Sequence, residues 1–126
     1  MPRNMSFSLT TRQYRDRTKD VTRRLGWWNL KAGELVNGVE KAMGLRRGEK
    51  IVVLGRHRIV STRAEMLNAI TVEDCRREGF PEMTPAQFVD MFCKHNHCEP
   101  DTVVNRIEFQ YVGIRFGRGL QARLAQ

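Results

Sequence analysis

Residues 34–41 read ELVNGVEK, and the conformation of this stretch decides what the rest of the chain can build. Together with Ala42 and Met43 it is long enough for a helix. Val36, Val39 and Gly38 suit a strand instead. β-Branched side chains pack well on a pleated surface, whereas a glycine inside a helix costs about 0.5–1 kcal/mol relative to alanine. Gly33 in front and Gly44 behind bound a run of strand length. A helix from Leu35 to Met43 would give this part of the molecule a different architecture.

Working outward, MSFSL (5–9) alternates apolar and polar residues, as a short half-buried strand does. TTRQYRDR (10–17) allows a helical turn or two with Thr10 as cap. KDVTRR (19–24) is short enough for a strand or a turn. EKIVVLGRHRIVSTRAEML (49–67) is an extended segment rich in branched residues, with a break expected at Gly55. TVEDCRREGF (71–80) opens on a threonine cap with Asp74 three residues on and stops at Gly79. TPAQFVDMFCKHN (84–96) has Thr84 as cap and Pro85 at the first helical position. Ala86, Phe88, Val89, Met91 and Phe92 supply its apolar side. VVNRIEFQYV (103–112) closes the series as a strand, with Ile107, Phe109 and Tyr111 alternating against polar neighbours. The order is α+β: mainly strands, with helices inserted before the last one. A small, partly open β barrel with flanking helices fits it. Residues 1–112 form the expected domain, and 113–126 a weakly ordered basic tail.

The net charge of +8 is unevenly placed. Residues 1–31 contribute +6, residues 113–126 contribute +3, and the stretch between is nearly neutral at −1. Two basic ends on a balanced body favour a polyanion, with nucleic acid the first candidate. No apolar run approaches the ~20 residues of a membrane span, and MPRNMSFSL lacks the apolar core of a secretory signal. A soluble cytoplasmic protein without a membrane partner is expected. Three cysteines, an odd number, argue for reduced thiols. CKHNHC (93–98) crowds four potential zinc ligands into six positions. Structural zinc sites instead pair their ligands within two separate knuckles, so neither a metal nor another cofactor is expected.

The densest chemistry lies in RTKDVTRR (17–24), followed at once by Trp27 and Trp28. A lysine held away from water loses part of its preference for charge and can act as a base. A threonine hydroxyl becomes a nucleophile when a base takes its proton. A distant carboxylate, Glu78 in RREGF, can orient the lysine or shuttle a proton. In a regular strand residues three apart face opposite ways, so Lys19 and Thr22 can share a cleft only if the chain turns between them. Asp20, uncommon in strands, suits that turn. Thr22 and Arg24 then point the same way. Arg17, Arg23 and Arg24 are candidates to hold an anionic ligand, and one of Trp27 and Trp28 to stack on a base, a contact worth about 1–3 kcal/mol. Glu73 and Asp74 are read as helix N-terminal charges.

RTKDVTRRLGWWNLKAGELV (17–36), EDCRREGF (73–80) and NRIEFQYV (105–112) together resemble the ASCH domain of the PUA-like superfamily. The family signature is glycine, lysine two residues on, glutamate three after that, then arginine two further on. Here Lys19 and Arg24 fit, Arg17 stands at the glycine position and Thr22 at the glutamate position. The threonine is shared with one branch, the small ASCH amidohydrolases that remove the acetyl group from N4-acetylcytidine. The resemblance implies a PUA-like barrel with a strand at 34–41 and a cleft that binds RNA, another nucleic acid or a modified nucleoside. As the alternative it implies metal-independent amide hydrolysis, with Thr22 as nucleophile, Lys19 as its base and Glu78 as proton shuttle.

If the basic ends contact phosphates, affinity for an oligonucleotide falls steeply with salt. Replacing Arg115, Arg118 and Arg123 together should flatten that dependence in a salt titration; an unchanged slope removes the tail from the binding surface.

Overall fold

A computed structural model describes residues 2–113. Its strands are β1 (Arg3–Ser6), β2 (Val21–Arg24), β3 (Leu35–Val39), β4 (Val53–Met66) and β5 (Val103–Val112). Its α-helices are α1 (Thr11–Asp16), α2 (Val72–Arg77) and α3 (Pro85–Asn96). The five strands form one curled sheet in the order β1-β3-β4-β5-β2. β1 runs parallel to β3, and the other neighbours are antiparallel. The sheet is a half-barrel in an α+β order, as the segment order implied, and it agrees with the PUA-like architecture that the family resemblance implied. No helix among the described residues is long and apolar enough to cross a membrane.

Residues 35–39 are the strand on which the architecture turned. Gly38 pairs across the sheet with Gly55 of β4. The reason for both glycines is Tyr14 of α1, whose ring lies over them. A Cβ on Gly38 would stand 2.2 Å from the Tyr14 ring, and one on Gly55 3.2 Å. Gly55 therefore does not interrupt β4. It is half of a notch that lets a helix-borne phenol reach the inside of the sheet. The irregularity in β4 comes later, as a register shift between Ile59 and Ser61 that leaves Val60 exposed and helps the long strand bend. β1 is also displaced from its expected place: it spans Arg3–Ser6, and a 3₁₀ turn takes over at Ser8.

Inside the curl Tyr14, Phe7, Met5, Ile59 and Phe109 form the first apolar cluster. His57 is enclosed there too, fully buried, with its Nδ1 2.9 Å from the Tyr14 hydroxyl. A second cluster, with Leu67, Phe88 and Phe92, lies beneath α2 and α3. Both helices start as their residues require. Thr71 accepts from the Asp74 amide, and Thr84 and Gln87 make a reciprocal capping box. Thr10 occupies the cap position of α1, but its side chain makes no capping bond; Thr11 donates to the Phe7 carbonyl instead. Ala86, assigned to the apolar side of α3, is exposed.

The glycine notch predicts that Gly38→Ala lowers stability by about 1–3 kcal/mol, the usual cost of overpacking a filled core, read as a lower urea midpoint. A midpoint equal to wild type would show that Tyr14 moves aside freely.

His57 predicts a pH effect. Burial, and then the charge of Arg24, lower its pKa from 6.5 to about 3. Between those values the unfolded chain binds a proton that the folded chain refuses, so stability falls as pH falls. The slope is about 1.4 kcal/mol per pH unit. Urea melts should show stability falling with increasing steepness as pH drops from 6.5 and approaching this slope near pH 5 in wild type, and should lose the effect in His57→Gln.

Candidate functional site

Across the middle of the sheet three arginines stand in register. Arg23 of β2 pairs with Arg106 of β5, and Arg106 with Arg63 of β4. Like charges directly opposite one another repel. Carboxylates from α2 and β4 neutralise the row. Asp74 accepts two bonds from Arg106, from Nε at 2.7 Å and Nη2 at 3.1 Å, and one from Arg23 at 2.6 Å. Glu65 accepts from Arg23 at 2.6 Å and from Arg63 at 3.2 Å. Burial by itself would raise the Asp74 carboxyl, but the bonds from Arg106 and Arg23 outweigh it and hold the group well below the ordinary carboxylate range. Asp74 is therefore the anchor of α2 on the sheet, a role that its place in the first helical turn did not disclose.

Glu78 follows Asp74 by one helical turn and reaches the same face. One carboxylate oxygen accepts from Arg23 at 3.1 Å, and the other from Lys19 Nζ at 2.7 Å. The Lys19 ammonium also donates to the Glu78 main-chain carbonyl at 2.9 Å. Lys19 and Glu78 are 2% and 3% exposed, so this ion pair is withdrawn from water. Burial lowers the Lys19 pKa from its ordinary 10.5, against the raising influence of Glu78.

The chain turns at Arg17, where α1 ends, and runs irregularly through Thr18–Asp20 rather than turning at Asp20. The Asp20 amide donates to the Arg77 carbonyl, its own carbonyl accepts from the Phe109 amide, and Tyr111 donates to the Lys19 carbonyl at 2.5 Å. These contacts fix Lys19 just before β2 starts at Val21, so that it does not follow the alternation of that strand. Thr22 and Arg24 then share a side: Arg24 Nε donates to Thr22 Oγ1 at 3.0 Å. The Arg24 guanidinium lies 4.8 Å over the Phe7 ring. Burial lowers its pKa to about 10, with Glu78 opposing, so it is a cation at neutral pH. Among the described residues Arg24 enters no ion pair, whereas its neighbour Arg23 engages three carboxylates.

β1 and β2 are the two edges of the sheet, and a recess of about 600 Å³ opens between them. Lys19, Thr22, Arg23, Arg24, Phe7 and Trp27 line it, with Lys41 and Met43 on one rim and His95 and Asn96 from the end of α3 on another. Glu78 stands behind Lys19 and does not reach the wall. Two residues proposed as ligand contacts lie elsewhere. Arg17, in a left-handed turn at the end of α1, stacks on Tyr111 and donates to the Gly113 carbonyl, beside a separate hollow. Trp28 is 54% exposed and is not among the residues that line this recess. The two tryptophans do not alternate along an extended chain, because Trp27 has φ 66° in a turn. Cys93 and Cys98 pack against the second apolar cluster.

No family model matches the chain, and no curated protein does. Solved structures do. A crystal structure of an Enterococcus faecalis V583 protein, described under the family model DUF984, superposes with a TM-score of 0.61 at 14% identity, over 89% of this chain and 80% of that one. The ASCH domain from Lactobacillus crispatus JV V101 superposes with a TM-score of 0.60 at 14% identity, over 86% of this chain and 78% of that one. The likeness is one of backbone architecture, and it gives this chain an ASCH-type, PUA-like fold.

Proposed function

We propose that the recess between β1 and β2 binds a nucleobase carried on a phosphate, in RNA rather than DNA or as a modified nucleotide. The observation that carries this reading is the Arg24 guanidinium, an unpaired cation between the Phe7 ring and the Trp27 side of the recess. A cation among aromatic walls suits a ligand with a flat ring and a negative charge. The basic front of the chain and the Lys41 rim add an attractive field for a polyanion. An ASCH-type fold supports the reading without specifying a ligand.

A second reading, metal-independent amide hydrolysis, has one observation in its favour. Lys19, with its pKa lowered by burial, lines the same recess as the Thr22 hydroxyl. In that reaction Thr22 Oγ would attack an N-acetyl carbonyl as its proton passes to Lys19. The amine would leave with a proton, and water would release acetate from the acetylated threonine. Against it, Lys19 Nζ is held by two oxygens of Glu78, and Thr22 Oγ1 is bonded to Arg24. Binding therefore ranks first.

Titration calorimetry with cytidine 5′-monophosphate and with N4-acetylcytidine separates the readings, together with an assay for acetate release. For a binding site, Arg24→Ala weakens the monophosphate about tenfold or more, as loss of a charged hydrogen bond would, while Thr22→Ala changes little and no acetate appears. For an amidohydrolase, acetate appears, Lys19→Ala and Thr22→Ala both abolish its release, and Thr22→Ala still binds. Absence of both binding and turnover rejects the two readings together.

A further inference from the structure

The recess does not end at Trp27. A second hollow of about 510 Å³ opens on the far side, lined by Arg3, Gly26, Trp27 and Asn29, and it shares Asn4, Arg24, Leu25 and Trp27 with the first. The two are continuous along the edge of β2, with the indole and the Arg24 guanidinium standing where they meet.

That junction is built under strain. Trp27 has φ 66°, a left-handed conformation unfavourable for a bulky side chain and sustained at a cost of about 1–3 kcal/mol only where the surroundings impose it. The surroundings here are specific. Asn105, 2% exposed, donates its side-chain amide to the Trp27 carbonyl at 3.0 Å and lies 3.5 Å from the Gly26 carbonyl. The Leu30 amide also donates to the Trp27 carbonyl. The Arg3 guanidinium lies 4.7 Å over the indole ring. Arg3 is itself held by an exposed bond to Asn29 and a part-buried one to Glu34, at 3.1 Å each, and the ion pair between these partly exposed side chains is of the weak kind that an incoming phosphate can displace. A rigid aromatic plate between two hollows, with an unpaired arginine beside it and a second arginine on its outer face, has the periodicity of base, phosphate, base.

We propose that Arg3, Gly26, Trp27 and Asn29 form a second subsite, and that the ligand is a nucleic-acid strand with at least two nucleotides engaged rather than a free nucleoside. This inference rests on the reading of the first recess as a nucleotide site. One nucleotide occupies that recess, the linking phosphate lies at Arg24, and the next base meets Trp27 and Arg3. Asn105 is a positioning residue that acts through the Trp27 backbone.

Calorimetry with cytidine 5′-monophosphate and with the cytidine trinucleotide tests it. Wild type should bind the trinucleotide at least about tenfold more tightly, the gain from one further stacked base. The double variant Arg3→Gln, Asn29→Ala removes contacts of side chains that line the second hollow and not the first. It should lose most of that gain while keeping its affinity for the monophosphate within about twofold, a change too small to mark a lost contact. As a second readout, in Trp28→Phe the remaining Trp27 fluorescence should quench more with the trinucleotide than with the monophosphate. Equal wild-type affinity for both ligands, or an equal loss of both in the double variant, overturns the second subsite and leaves the first recess as a nucleotide site. Failure of wild type to bind either ligand overturns both.

Discussion

The buried carboxylates of Asp74 and Glu78 are the interaction on which the rest of the molecule depends. A sheet that buries Arg23 beside Arg106 cannot close over them unless more negative charge arrives than its own strands supply. Helix α2 brings it. Residues 74 and 78 are four apart, so they project from one helical face, and the helix is seated by ion pairs as much as by apolar contact. Removing one member would leave a buried charge uncompensated, at a cost of about 3–5 kcal/mol. The position of α2 is thereby fixed, and with it the Glu78 main-chain carbonyl and carboxylate that hold Lys19.

The same constraint separates structure from function within two adjacent residues. Arg23 and Arg24 are chemically alike, but β2 turns their side chains to opposite faces. Arg23 enters the carboxylate layer and is used up in holding it. Arg24 meets a hydroxyl and an aromatic ring, and no carboxylate. Its charge stays available because the carboxylates beside it are already engaged by Lys19, Arg23 and Arg106. The recess exists for a related topological reason. A half-barrel with β1 and β2 at its edges leaves a gap that the helices do not fill, and residues from both edges line it. Ligands commonly occupy such openings in small barrels.

Two further features show how tightly the walls are determined. Tyr14 fits only because Gly38 and Gly55 face each other beneath it, and its hydroxyl in turn engages a histidine that the core keeps neutral. Trp27 stands in a conformation its side chain disfavours, held by a buried asparagine from β5. Both are cases in which a locally poor choice is maintained by contacts distant in sequence, and both lie next to the recess or beneath it.

The sequence by itself determined which elements form and in what order. The caps at Thr71 and Thr84, alternating β5, and the stop at Gly79 act over a few residues, so local pattern was enough for them. The helix-or-strand ambiguity of ELVNGVEK narrowed at the bounding glycines and closed only with the family resemblance. The spacing of Lys19, Thr22 and Arg24 left them able to share one recess, because strand alternation and the irregular backbone before Val21 are local matters. What each side chain would meet was decided by tertiary structure. Gly55 looked like a break, since nothing nearby announced a tyrosine from α1. Asp74 looked like a dipole charge, since its two arginines come from β2 and β5. Trp27 and Trp28 were equivalent on the page, and became different only when the fold set Trp27 at the gap between the sheet's edges. Alternation says which residues share a face. Only the packing of distant elements says whether that face is met by a carboxylate, a ring or a ligand.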